Sequence, residues 1–221
     1  MRTFARTITI PSTKVIKCLD IAPTPIEFCF SDKKMNISEH QLEPHTIELA
    51  SLECGRVGIS PAAGKSIVEA ASVCLEERGH SSPTAMVIFG DYEIATDIAW
   101  ISPSDQVKRW WNDDQYATEH GAYCIAALLI EQSGLEVVER SKKKTGFDFY
   151  LGPKGSQSVL FQNLTRLEVS GIRNGNGAEI ESRVKQKISQ TKVSDGSTLP
   201  AVIVIVEFGR PTAKMVIRCK K

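Results

Sequence analysis

Hydrophobic and polar residues alternate over 147–151 and again over 167–170, a period of two that predicts β-strands, because successive side chains of an extended chain point to opposite faces. Phe147, Phe149 and Leu151 fall on one face of the first piece, with Asp148 and Tyr150 on the other. In the second piece Leu167 and Val169 oppose Glu168 and Ser170. If the two strands pair with their apolar faces on one core, the Asp148 and Glu168 carboxylates emerge together, a place for a hard divalent cation. A carboxylate in the polar phase of a half-exposed strand also serves simply to face water. Residues 135–141, after Gly134, predict the strand ahead of this pair. Residues 201–208 are apolar with no alternation over six positions and predict a central strand covered on both faces, whereas 214–218 predict an edge strand.

Two helices follow from the other period. Residues 114–132 place Glu119, Ala122, Tyr123, Ala126, Leu129 and Ile130 on an inward stripe, where a lone carboxylate is costly unless it is paired or metal-bound. Residues 178–190 carry an apolar stripe of Ile180, Val184 and Ile188, with Arg183, Lys187 and Gln190 along one flank and Lys185 on the other. Those charges are either site cations or a solvated helix surface. Residues 171–177 are glycine-rich and predict a turn ahead of this helix.

The first half of the chain reads as a strand-rich α+β unit over 1–104. Strands are predicted at 3–10, 14–21, 26–30 and 46–52, and a hairpin at 84–89 and 93–100 around Gly90-Asp91. The Gly58-to-Ser66 run imitates a phosphate loop, but five residues rather than four separate its glycines. It predicts instead a helix with Ser60 as N-cap and Pro61 in the first turn, burying Ile67, Ala70, Ala71, Cys74 and Leu75 and stopped by Gly79. His40 and His45, with Glu39 and Glu43, lie in a polar stretch and read as surface histidines before metal ligands; His80 reads as a helix-terminal histidine. A connector containing Trp110 and Trp111 leads to a second domain over 112–221. Adjacent indoles either stack on bases or pack one domain on the other.

Composition narrows little further. With 221 residues, 42% hydrophobic and 24% charged, the chain is globular, and a net charge of +1 gives no global sign of a polyanion binder. Cys18, Cys29, Cys54, Cys74, Cys124 and Cys219 show no CxxC pair, which predicts reduced cysteines in a cytoplasmic protein and no zinc site. The N-terminus alternates where a signal peptide needs an apolar run, and no stretch reaches the ~18 apolar residues that predict a membrane span.

The element order over 112–215 is a helix with an early Glu, a strand, a strand with Asp148, a strand with Glu168-x-Ser170, a basic helix and an apolar strand. It resembles the αβββαβ core of the PD-(D/E)XK phosphodiesterases, the restriction-endonuclease-like fold of many restriction enzymes and Holliday-junction resolvases. The resemblance implies a Mg²⁺ (or Mn²⁺) site formed by Asp148, Glu168 and the Val169 carbonyl, with Glu119 extending the acidic cluster or else capping its helix or pairing with Arg183. It places Ser170 where the family has lysine, and a hydroxyl cannot supply that cation. Lys187 is the first candidate for a relocated catalytic lysine and Lys185 the second. Lys142, Lys143, Lys144, Arg183 and Gln190 become candidates for contacts to nucleic acid, DNA foremost, and a homodimer or a partner protein is expected. The alternative is a catalytically silent nuclease fold acting as a nucleic-acid-binding or assembly subunit. A third reading has the Gly-Lys-Ser segment binding a nucleotide.

Overall fold

The computed structural model describes residues 46–90, 93–155 and 164–219. The three strands expected before residue 31, the His40/His45 stretch and the Asp91 side of the hairpin turn lie outside them. The described residues form a mixed α/β structure on one eight-stranded sheet. Its strands are β1 (Ile47–Glu48), β2 (Thr84–Phe89), β3 (Glu93–Ala99), β4 (Leu135–Arg140), β5 (Phe149–Pro153), β6 (Thr165–Ile172), β7 (Ala201–Glu207) and β8 (Thr212–Arg218), in spatial order β1-β3-β2-β8-β7-β6-β5-β4. Four helices accompany them: α1 (Pro61–Glu77), α2 (Asp105–Trp110), α3 (Asp114–Gln132) and α4 (Gly177–Thr191).

β7 shows why its sequence does not alternate. Val202, Val204 and Val206 enter a core with residues of α1 and α3, whereas Ala201, Ile203 and Ile205 pack with Ile180 and Val184 of α4. Every β7 residue is buried because a helix covers each face. The sheet is thus a middle layer, with α1 and α3 on one side and α4 on the other. β6 runs parallel to β7, and β4, β5 and β6 form an antiparallel meander beside it.

β8 is not the edge strand its position near the C-terminus suggested. It pairs antiparallel with β7 and, on its other side, parallel with β2. A hairpin with β7 leaves one row of backbone groups open, and the strand from the first half of the chain takes it up. The described strands of the first half, β1, β2 and β3, therefore extend the same sheet, and α1 packs on α3 within one core.

The start of the described chain also departs from the expected strand at 46–52. Only Ile47 and Glu48 are extended, and Leu49–Cys54 turns into a 3₁₀ helix that buries Leu49 and Leu52. α1 begins as anticipated, with the Ser60 Oγ accepting from the Ala63 N–H at 3.3 Å and Pro61 in the first turn. Gly64 lies inside this helix, and a Cβ there would sit 2.0 Å from the Leu52 carbonyl oxygen. The glycine of Gly-Lys-Ser therefore admits the 3₁₀ turn against α1 and forms no phosphate-binding loop. Ile67 is half-buried, and Val68 is buried beside Ala70, Ala71, Cys74 and Leu75.

α3 is buried over Gly121–Ile130 on every side, between α1 and the sheet, so the apolar surface is broader than a single stripe. Glu119 lies outside that girdle and is exposed, which corrects its placement on the inward face. Gly171 was expected in a turn but belongs to β6, and a Cβ on it would meet the Thr118 carbonyl oxygen of α3 at 2.4 Å. Gly171→Ala must therefore push α3 off β6. Urea unfolding should show a loss of about 1–3 kcal/mol, the usual cost of overpacking; an unchanged midpoint would contradict this close approach.

Candidate functional site

The site forms where β5 leaves β6. The ladder reaches Phe149 opposite Leu167, and one step further the Asp148 N–H still donates to the Leu167 carbonyl at 2.8 Å. Beyond that point the Val169 N–H has no strand to pair with, and the Asp148 side chain supplies the acceptor, Oδ2 at 2.9 Å. β5 thus begins at Phe149 and not at 147 as the alternation suggested, and Asp148 caps the opening between two strands. In that register Asp148 faces Glu168, and residues opposite one another on antiparallel strands share a face.

The chain arrives at Asp148 through a tight turn. The Ser141 N–H donates to the Asp148 carbonyl at 2.8 Å, the Thr145 Oγ1 donates to the Lys142 and Phe147 carbonyls, and Lys144 and Gly146 adopt positive φ. Lys142, Lys143 and Lys144 are all exposed on this turn.

Glu168 is 1% exposed. Its Oε1 accepts from the Lys187 Nζ at 2.5 Å and from the Gln190 Nε2 at 3.0 Å, while Lys187 also donates to the Gln190 Oε1 at 3.2 Å. Its Oε2 is buried and has no hydrogen-bond donor among the described residues. Two positions along, the Ser170 Oγ accepts from the Arg183 Nη1 at 2.8 Å, and Arg183 also reaches the Gly171 carbonyl at 3.4 Å. Arg183, Lys187 and Gln190 therefore all turn from α4 onto β6, whereas Lys185 is exposed and points its charge elsewhere. α4 is set by a capping box, in which the Asn176 Oδ1 accepts from the Glu179 N–H and the Glu179 Oε2 accepts from the Asn176 N–H.

On the α3 side the Tyr123 hydroxyl joins two carboxylates, donating to the Glu119 Oε1 at 2.7 Å and lying 3.3 Å from the Asp148 Oδ1. Glu119 thus reaches the site through Tyr123, and Arg183 takes Ser170 as its partner in place of Glu119. The Arg140 guanidinium lies over the Tyr123 and Phe149 rings, 5.2 and 5.4 Å from their centroids. Tyr123 reads from the sequence as a core residue only. The signal that finds it is its i, i+4 spacing from Glu119, which stacks the two side chains along one helix face.

The electrostatics follow from burial. Glu168 is pushed up from 4.5 to about 7, first by burial and then by the charge and contact of Asp148, with Lys187 opposing. Asp148 is also raised, mainly by burial, against the Val169 N–H, Lys187, Tyr123 and Arg140. Two carboxyls this close disfavour each other's ionisation, so both are held above the ordinary carboxylate range. The Tyr123 phenol is raised too, by burial and then by Asp148 and Glu119, and stays a donor.

An all-oxygen pair with one carboxylate oxygen short of a donor suits a hard cation such as Mg²⁺ or Mn²⁺. Among the described residues no three His, Cys, Asp or Glu side chains converge closely enough to make a metal cage on their own. Asp148 and Glu168 are two protein ligands, and a sparse set of this kind is what Mg²⁺ commonly uses, the remainder being water and substrate. No protein-family model, curated protein or solved structure matches this chain.

The raised Glu168 fixes the sign of a pH effect. The folded state holds this proton more tightly than the unfolded chain, so stability present at low pH is lost as the pH rises from 4.5 through about 7. Glu168→Gln cannot ionise. It should flatten that slope and exceed the wild type above neutral pH by on the order of 1–3 kcal/mol in urea unfolding. Parallel pH profiles for the two proteins would count against a raised Glu168.

Proposed function

We propose that this protein is a divergent metal-dependent nucleic-acid phosphodiesterase of the restriction-endonuclease-like fold, with DNA as the foremost substrate. The observation that carries this reading is the buried Asp148–Glu168 pair, with an ammonium group on one Glu168 oxygen and no donor on the other. The order α3-β4-β5-β6-α4-β7 supports it, being the αβββαβ succession of that core.

Asp148, Glu168 and the Val169 carbonyl would hold Mg²⁺ or Mn²⁺, with Glu119 joined to the cluster through Tyr123. The ion supplies a bound water of lowered pKa and neutralises charge on the phosphate. The protein's own part is to keep the two carboxylates in fixed register and to bring a cation to the transition state. Lys187 fills the role that Ser170 cannot. Its stem comes from α4, its charge already lies at the carboxyl pair, and a phosphate entering there meets it at close range. Arg183, held on Ser170, presents a second positive charge one helical turn away. Lys142, Lys143 and Lys144, exposed on the turn that leads to Asp148, would steer a polyanion toward it. Cys54, Cys74, Cys124 and Cys219 are free, which suits a reducing cytoplasmic setting, and no helix among the described residues is long and apolar enough to cross a membrane.

A second reading, a silent nuclease fold that binds nucleic acid or assembles with a partner, is favoured by one feature. Lys187 already neutralises Glu168, as a structural ion pair would.

Cleavage of single- and double-stranded DNA and of RNA, with Mg²⁺ or Mn²⁺, separates the two. Wild type should cut, Asp148→Asn should abolish cutting, and Lys187→Met should slow it about 10²–10³-fold, with Lys185→Met near wild type. Mg²⁺ should raise the melting temperature of the wild type and leave that of Asp148→Asn unmoved. No cleavage and no Mg²⁺-dependent shift in the wild type would establish the silent fold instead.

A further inference from the structure

The two tryptophans ahead of α3 have opposite environments. Trp111 is 1% exposed, its Nε1 donates to the Glu69 Oε2 at 3.4 Å, and its ring stacks on Tyr116 with centroids 5.3 Å apart and planes 19° from parallel. Trp110 is 74% exposed. The buried neighbour anchors the backbone from which Trp110 projects, so this indole is presented to solvent from a fixed base.

Beside it an open cavity of about 660 Å³ lies between α1 and α2, lined by Lys65, Glu69, Gln106, Val107, Arg109 and Trp110. Lys65 and Arg109 are exposed and make no salt bridge with another described residue, and the Glu69 carboxylate accepts from the neutral Trp111 N–H and keeps its charge. Two cations against one carboxylate leave the lining with a net positive charge. An exposed indole face next to two free cations and an amide complements a planar, anionic ligand, and the repeating unit of a nucleic-acid strand has both properties. An unpaired strand fits better than a duplex, because an indole needs the face of a base, which pairing and stacking cover.

Behind the groove a row of packed rings runs along α3. From Trp111 the rings run through Tyr116 and His120 to Tyr123, with successive centroids 5.3, 4.1 and 5.7 Å apart, and the Tyr123 hydroxyl meets Asp148. Tyr116 is itself half-exposed along this run. Tyr116 and Tyr123 are seven positions apart on α3, an advance of about 10 Å.

We propose that the groove between α1 and α2 binds an unpaired nucleic-acid strand, with a base stacked on Trp110 and phosphates against Lys65 and Arg109. The choice of nucleic acid rests on the phosphodiesterase reading; the groove itself does not depend on cleavage.

The test uses the full chain in EDTA, where no cutting occurs. Trp100 is 6% exposed, so of the three tryptophans Trp110 is the accessible reporter. A short oligothymidylate should quench its emission and bind more tightly than the same sequence paired with oligoadenylate. Trp110→Ala should weaken single-strand binding about 5- to 100-fold, and Lys65→Gln with Arg109→Gln should lower its salt dependence. Melting temperatures should stay unchanged, since these side chains are exposed. Affinity within twofold of wild type for Trp110→Ala, or a preference for the duplex, overturns the proposal. Trp110-dependent binding by a wild type that never cleaves keeps the groove and removes the phosphodiesterase reading. Cleavage lost in Asp148→Asn, with binding indifferent to Trp110, does the reverse.

Discussion

The contact between the Asp148 and Glu168 carboxyls is the constraint around which the second half of this molecule is arranged. Two acids brought together out of water repel one another, and a buried oxygen without a donor costs about 1–3 kcal/mol by itself. The surroundings offset part of that cost from three directions. A strand N–H at Val169 comes from within the sheet, a phenol at Tyr123 comes from α3, and an ammonium and an amide at Lys187 and Gln190 come from α4. None of these reaches the Glu168 Oε2. A fold selected for stability alone has little reason to retain such an oxygen, and perturbed, under-satisfied carboxyls of this kind concentrate where ligands bind.

The second feature is the match between α4 and β6. Four residues of helix advance about 6.0 Å and two residues of strand about 6.6 Å, so Arg183 and Lys187 come to rest on Ser170 and Glu168 with nearly equal spacing. The helix descends as the strand ascends, which pairs the lower number on one with the higher on the other. Both cations are held by this match. A lysine at position 170 would approach from the strand itself; here the charge approaches from the covering layer, its stem packed along a helix whose apolar stripe fixes its height above the sheet.

Rigidity comes from outside this core as well. β2 pairs with β8, and α1 lies against α3, so the described part of the first half extends the sheet on the side away from β5 and braces the helix that carries Glu119 and Tyr123. Gly171 and Gly64 mark where backbones meet without room for a side chain, one between β6 and α3 and the other between α1 and the 3₁₀ turn before it. Through the first of these, the distance from the Tyr123 hydroxyl to Asp148 depends on a glycine three residues after Glu168.

Sequence alone determined several of the described elements and the faces they present. The period of two at 147–151 and 167–170, the unbroken apolar run of β7, the span of α3 and the start of α1 at Ser60-Pro61 all follow from side-chain alternation, helix period and capping chemistry, which are properties of neighbours along the chain. The flank of α4 bearing Arg183, Lys187 and Gln190 was visible for the same reason. Tertiary structure alone decided what covers each face. It put β8 inside the sheet, because β2 arrives from a distant part of the chain to fill its open side. It left Glu119 exposed yet tied to Asp148 through Tyr123, separated Trp110 from Trp111, and turned Lys187 inward while Lys185 stayed in water. Periodicity reports that a side chain is on a given face. Which atom it meets there depends on register and on the approach of elements remote in sequence, and no local pattern encodes that.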